Sequence, residues 1–130
     1  MMDHPEYRDE ARVAHMGVYL SRIASIMQNL VQERFRDGEP ETERILYNLM
    51  ILGEAANNVS REFASAHPEV DFKDIAGLRH KLVHDYANID LSRIWSILET
   101  DVPRWNVAVA NLCKTLPPAP SPPENLYEFL

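Results

Sequence analysis

Ten consecutive residues, Gly77-Leu78-Arg79-His80-Lys81-Leu82-Val83-His84-Asp85-Tyr86, hold a guanidinium, two imidazoles, an ammonium, a carboxylate and a phenol. These groups suit the cutting of an RNA chain without a metal. A base must take the ribose 2′-OH proton, an acid must protonate the leaving 5′ oxygen, and a cation must stabilise charge on phosphorus. Histidine suits both proton transfers because its unperturbed pKa is about 6.5. Arginine suits the charge role, since its planar fork stays protonated and matches phosphate oxygens.

Other chemistries compete for the same residues. His80 and His84 have the i, i+4 spacing of two metal ligands on one helix, with Asp85 adjacent. No cysteine lies near them and no His-Glu-x-x-His arrangement occurs, so the signal for a metal site is weak. Serine-based nucleophilic catalysis is weaker still, because no serine sits on a glycine-framed turn. The plainest reading is structural: Arg79–Asp85 type pairs and capping histidines that close a helix. Residue types alone leave these readings open.

Helical geometry constrains any cooperation among them. Five residues of α-helix turn about 500°, which leaves Arg79 and His84 roughly 140° apart around the axis. Either the helix ends near Val83 and His84 swings back, or two protomers combine their residues across a cleft. Arg79 and Tyr86, by contrast, would lie about 20° apart on one continuous helix.

The elements that must position this stretch read as helices. Val13, Met16, Leu20, Ile23, Met27 and Leu30 form one apolar stripe of a long helix between Tyr7 and Val31. Arg34 to Pro40 contains Gly38 and Pro40 and reads as a loop. Ile45, Leu49, Leu52, Ala56, Val59 and Phe63 place a second helix over about Glu41–Ala66. A glycine within a helix costs about 1 kcal/mol relative to alanine, so Gly53 beside Ala55 and Ala56 predicts close approach of another backbone. Pro68 ends that helix. Asp71 is a candidate N-cap for a third, with Phe72, Ile75, Leu78 and Leu82 facing inward. Asp90 caps a fourth helix, and Pro103 either kinks it or starts a fifth. The resulting fold class is all-α, an up-and-down bundle of four to five helices over residues 1–116. From Pro117 five prolines within seven residues make an extended linker, followed by a short tail to Leu130.

Composition sets the frame for function. A chain of 130 residues holds one sizeable core. Its net charge of −7 argues against a broad nucleic-acid surface, though not against a local one, because three of the four charged residues from Lys73 to Lys81 are cationic. No apolar run reaches the roughly 20 residues that span a bilayer. The acidic N-terminus is unlike a signal peptide, and Cys113, the one cysteine, reads as buried filler. A cytoplasmic protein without a membrane partner is expected.

Arg79, four residues, His84, one residue, then Tyr86 resembles the Arg-x4-His-x-Tyr signature of HepT-type toxins in the HEPN superfamily of helical ribonucleases. Ile51-Leu52-Gly53-Glu54-Ala55-Ala56 and Ile89-Asp90-Leu91-Ser92-Arg93-Ile94-Trp95 are similar to the same family, so the resemblance spans roughly residues 7–116. It implies a HEPN-like homodimer and a metal-independent endoribonuclease needing no cofactor. Arg79 and His84 would be catalytic, with His80, Lys81 and Tyr86 orienting the RNA. Glu54, within the recurrent Gly-Glu-Ala element, would be a cleft residue. The resemblance also implies a toxin acting on tRNA or mRNA and neutralised by an MntA-type minimal nucleotidyltransferase antitoxin, in some systems through AMP transfer to the signature tyrosine, here Tyr86. A second reading keeps the same fold without catalysis: a helical module that binds a nucleotidyltransferase or a nucleotide, with Arg79 holding phosphate.

Overall fold

The computed structural model describes residues 5–117, and all of its regular structure there is helical. Four long helices are α1 (Pro5–Met27), α2 (Pro40–Asn57), α4 (Phe72–His84) and α5 (Leu91–Thr115), and a short α3 (Arg61–Ala66) lies between α2 and α4. Helix α2 packs against both α1 and α4, and α1 packs against α5. The all-α bundle expected from the apolar stripes is thus the observed architecture. Beyond Pro117, the proline linker and tail lie outside the described residues.

The stripes form the core. Val13, Met16, Leu20 and Ile23 of α1 are fully buried, as are Ile45, Leu49 and Leu52 of α2. Phe72, Ile75, Leu78 and Leu82 of α4 face inward as their spacing predicts. The loop before α2 adds a core residue that no periodicity marked. Phe35 is buried and its ring lies 5.4 Å from that of Trp95. Gly38 follows with φ of +86°, a left-handed conformation that glycine adopts without strain, and Pro40 opens α2 with its fixed φ.

Local chemistry breaks the long second helix in two. Asn58 ends α2 and turns its amide back onto the Glu54 carbonyl at 2.9 Å. Ser60 then caps α3, its hydroxyl accepting from the Phe63 N–H at 3.1 Å. Its own N–H and O–H both donate to the Asp9 carboxylate of α1, each at 2.7 Å. Asn and Ser offer the backbone these alternatives to helix, and a buried Asp9 makes the alternative win. The apolar stripe hid the break because Val59 and Phe63 both still pack on the core.

Three other expectations change. Asp71 stands at the N-cap position of α4, yet its side chain makes no cap bond, because Arg104 of α5 takes the carboxylate. Pro103 does not start a fifth helix, since α5 runs through it as one element capped by Asp90, which accepts from the N–H groups of Ser92 and Arg93. Cys113 is exposed rather than buried. Its sulfur rests 4.0 Å from the Val13 carbonyl, and this partial desolvation raises the thiol pKa. Among the described residues no helix is long and apolar enough to cross a membrane.

Candidate active site

Helix α4 delivers the chemistry-bearing stretch, and α2 fixes where it lies. A β-carbon built on Gly53 would stand 2.3 Å from Arg79 Cβ and 3.0 Å from the Ile75 carbonyl oxygen. Only glycine allows α4 to lie this close to α2. The small-residue patch predicted to receive another backbone therefore receives α4 of the same chain. Ala55 and Ala56 are buried with it, so this patch offers no surface to a second subunit.

Close approach puts Arg79 against the next residue along α2. The Arg79 Nε lies 2.9 Å from Glu54 Oε2, with the arginine side chain 36% exposed and the glutamate 19%. Glu54 Oε2 is shielded from solvent without a well-aligned hydrogen bond, so the contact is one of charge rather than of directed donation. Asn58 braces the other carboxylate oxygen, donating from Nδ2 to Glu54 Oε1 at 3.2 Å. Glu54 thus neutralises one edge of the guanidinium and leaves the remainder reachable from solvent. Sequence reading missed Asn58. Its signal was available, since it stands four residues after Glu54 and so shares its helix face.

The end of α4 sets the imidazoles. The helix continues through His84 and closes at Asp85, whose N–H donates to the Lys81 carbonyl at 2.9 Å. His84 therefore keeps its helical position, one turn beyond His80, and the two rings lie 4.2 Å apart at an interplanar angle of 50°. It does not swing back towards Arg79. Within one chain the structure brings together Glu54 with Arg79, and His80 with His84, but not Arg79 with His84.

Tyr86 departs from its expected place. It opens a 3-10 turn, Tyr86–Asn88, held by the Asn88 N–H donating to the Asp85 carbonyl at 2.8 Å. The 20° relation to Arg79 assumed an unbroken helix and does not hold beyond His84. The tyrosine is nevertheless open to solvent, 77% exposed. Lys81 is exposed and lines a groove between α4 and α5. Among the described residues no three His, Cys, Asp or Glu side chains gather as a ligand set for a metal.

The two other histidines among the described residues, His15 and His67, are held differently. His15 on α1 is buried, and burial, with the nearby Arg12 charge adding to it, lowers its pKa to about 4. His67 lies against Phe63, with ring centroids 4.4 Å apart, and near Glu69 at 3.5 Å.

Comparisons with known proteins bear on this arrangement. Residues 16–112 match the family model described as "Ribonuclease HepT-like". The "Probable ribonuclease HepT" of Thermococcus cleftensis is 34% identical over 100 residues, which cover 77% of this chain and 86% of that protein. Two inferred RNases of Methanocaldococcus jannaschii are also similar. One is 26% identical over 85 residues, covering 65% of this chain and 70% of its own. The other is 24% identical over 98 residues, covering 75% and 84%. No solved structure matches the chain. With a family model spanning most of the helical bundle and the Gly53–Arg79 packing at its centre, the chain belongs to the HepT-like ribonucleases, helical enzymes of the HEPN superfamily.

Proposed function

We propose that the chain is the toxin of a toxin–antitoxin pair, a metal-independent endoribonuclease acting on cytoplasmic RNA, with tRNA or mRNA as the substrate. The observation that carries this reading is the braced Arg79, held at 2.9 Å by Glu54 yet still partly exposed, on a helix whose end bears two imidazoles in tilted contact. Arg79 stabilises the charge that develops on the phosphate. His84 transfers the protons at the 2′ and 5′ oxygens, and its contact with His80 holds its ring in place. Lys81 and Tyr86 orient the strand.

A single chain keeps Arg79 and His84 pointing roughly 140° apart on α4. We therefore infer a homodimer in which the arginine of one protomer and the histidine of its partner share a phosphate. Two copies of the stretch would also double the local positive charge on an acidic protein. Neutralisation falls to an MntA-like nucleotidyltransferase antitoxin. The exposed phenol of Tyr86 is an open acceptor for AMP, with pyrophosphate leaving from ATP. The resulting phosphodiester would place a negative charge and an adenosine where substrate must bind.

The decisive experiment is cleavage of RNA by purified protein in EDTA, wild type against His84→Ala. Wild type should cut and leave 2′,3′-cyclic phosphate ends, and the variant should lose most activity with its helical circular dichroism intact. Loss of wild-type cleavage in EDTA, or full activity in the variant, would refute the assignment. Peptide mapping after co-expression with the nucleotidyltransferase should find AMP on Tyr86. An unmodified Tyr86 in an inhibited complex would point to occlusion instead.

A further inference from the structure

Between α4 and α5 runs an open groove of about 600 Å³, which meets the Arg79–Tyr86 stretch at Lys81. Four of the thirteen lysines and arginines line it: Lys73, Lys81, Arg93 and Arg104. Arg104 is committed to Asp71 and Asp101. Lys73, Lys81 and Arg93 have no ion-pair partner among the described residues. Asp101 shares Arg104 with Asp71, and Asp74 is the one lining carboxylate without an ion-pair partner among the described residues. In a chain of net charge −7, four lining cations against the carboxylates of Asp74, Asp101 and the adjoining Asp71 leave this groove locally positive.

Its shape suits an extended anion. Lys73, Gly77 and Lys81 are spaced i, i+4, i+8, so they follow one face of α4 over about 12 Å. Gly77 is exposed, and a β-carbon there would meet nothing within 4 Å, which leaves the space between the two lysines open. Arg93 and Ile97 form the facing wall on α5. Trp105 contributes to the floor and is 4% exposed, and its indole N–H has no hydrogen-bond partner among the described residues. Three cations without ion-pair partners fit a negatively charged ligand.

We propose that the α4–α5 groove is the track along which a single RNA strand reaches the cleavage site, with Lys73, Lys81 and Arg93 as its phosphate contacts. This rests on the ribonuclease reading of the Arg79–Tyr86 stretch and adds the path of the substrate. Each cation neutralises one phosphate as the strand passes, and half-buried Ile97 supplies apolar surface for a sugar or base. The contacts are to the backbone, so the track carries no base sequence preference.

The test is fluorescence anisotropy with a labelled single-stranded oligonucleotide methylated at every 2′ oxygen, which the 2′-OH mechanism cannot cut. Lys73→Ala with Arg93→Ala is compared with wild type and with Arg34→Ala and Arg61→Ala together, an equal charge change at exposed positions outside the groove. The groove variant should bind about tenfold more weakly at 0.1 M salt, and its salt slope should fall by about 1.4. The control variant should bind within about twofold of wild type. Equal weakening in both variants, no weakening in either, or no binding by wild type would overturn the proposal. A loss of dimer mass confined to the groove variant would overturn it as well, by making the groove a subunit interface. Cleavage of unmethylated RNA is measured in parallel. A wild type that binds through the groove without cutting would remove the ribonuclease reading alone, whereas cleavage with undiminished binding by the groove variant would remove the track alone.

Discussion

Gly53 of α2 lies directly against Arg79 of α4, so close that a β-carbon on the glycine would stand 2.3 Å from Arg79 Cβ. The same contact that closes the bundle aims the arginine at Glu54. Gly77, also helical, has no such neighbour, because a β-carbon there meets nothing within 4 Å. The two glycines should therefore respond oppositely to alanine. Gly53→Ala must push α4 outwards and should destabilise by about 1–3 kcal/mol, with cleavage impaired. Gly77→Ala should stabilise by about 0.5–1 kcal/mol, since it removes a helix-weakening residue without a clash. Urea unfolding of the two variants checks both signs.

Glu54 should act through Arg79 rather than on RNA itself. Glu54→Gln keeps the volume and removes the charge that holds the guanidinium at 2.9 Å. The expected result is a fall in kcat on the order of 10–100-fold, with KM changed much less, because the loss is one of positioning. Asn58→Ala, which frees the other carboxylate oxygen, should give a smaller loss in the same direction. A Glu54→Gln enzyme that changes only in KM would instead place the glutamate at the substrate.

His84 and Arg79 diverge on α4, so the proposed dimer makes a mixing experiment informative. Arg79→Ala and His84→Ala should each reduce cleavage by about 10²–10⁴-fold alone. Mixed heterodimers should recover part of the wild-type rate, because one of the two shared sites would be intact. No recovery after verified subunit exchange would mean sites built within one chain. Light scattering at micromolar concentration gives the oligomeric state independently.

Buried His15 should make stability fall as the solution is acidified. Its pKa is about 4 in the folded chain against 6.5 for the free side chain, first through burial and then through Arg12. Between these values the unfolded chain binds the proton and the folded chain does not, so stability rises with pH across this window. The contribution is fully present above about pH 6.5, shrinks as pH falls, and is lost near pH 4. Its size should be about 1–3 kcal/mol, superimposed on the carboxylate titrations common to any variant. Urea unfolding at pH 7 and pH 4.5 should show a smaller difference in His15→Gln than in wild type.

Much of this molecule was legible from its residues. Apolar spacing at three and four residues determined that Val13, Leu20, Ile45, Leu52, Ile75 and Leu82 would be interior, because a helix turns such positions onto one face whatever packs there. The breaker at Gly38–Pro40 and the cap at Asp90 were local chemistry and were readable for the same reason. The cost of a mid-helix glycine correctly announced a close backbone at Gly53, and the chemical stretch from Arg79 to Tyr86 announced itself by its residue types. Tertiary structure decided what each of these features meets. It turned Asp9 towards Ser60 and so split the second helix, and it drew Asp71 away from its cap to Arg104. It filled the patch at Gly53 with α4 of the same chain, and it joined Arg79 to Glu54 across 25 residues of sequence. Periodicity reports which face of a helix turns inward, whereas a partner across the bundle is set by how the helices pack against one another. That is why the elements could be read from the chain and their pairings could not.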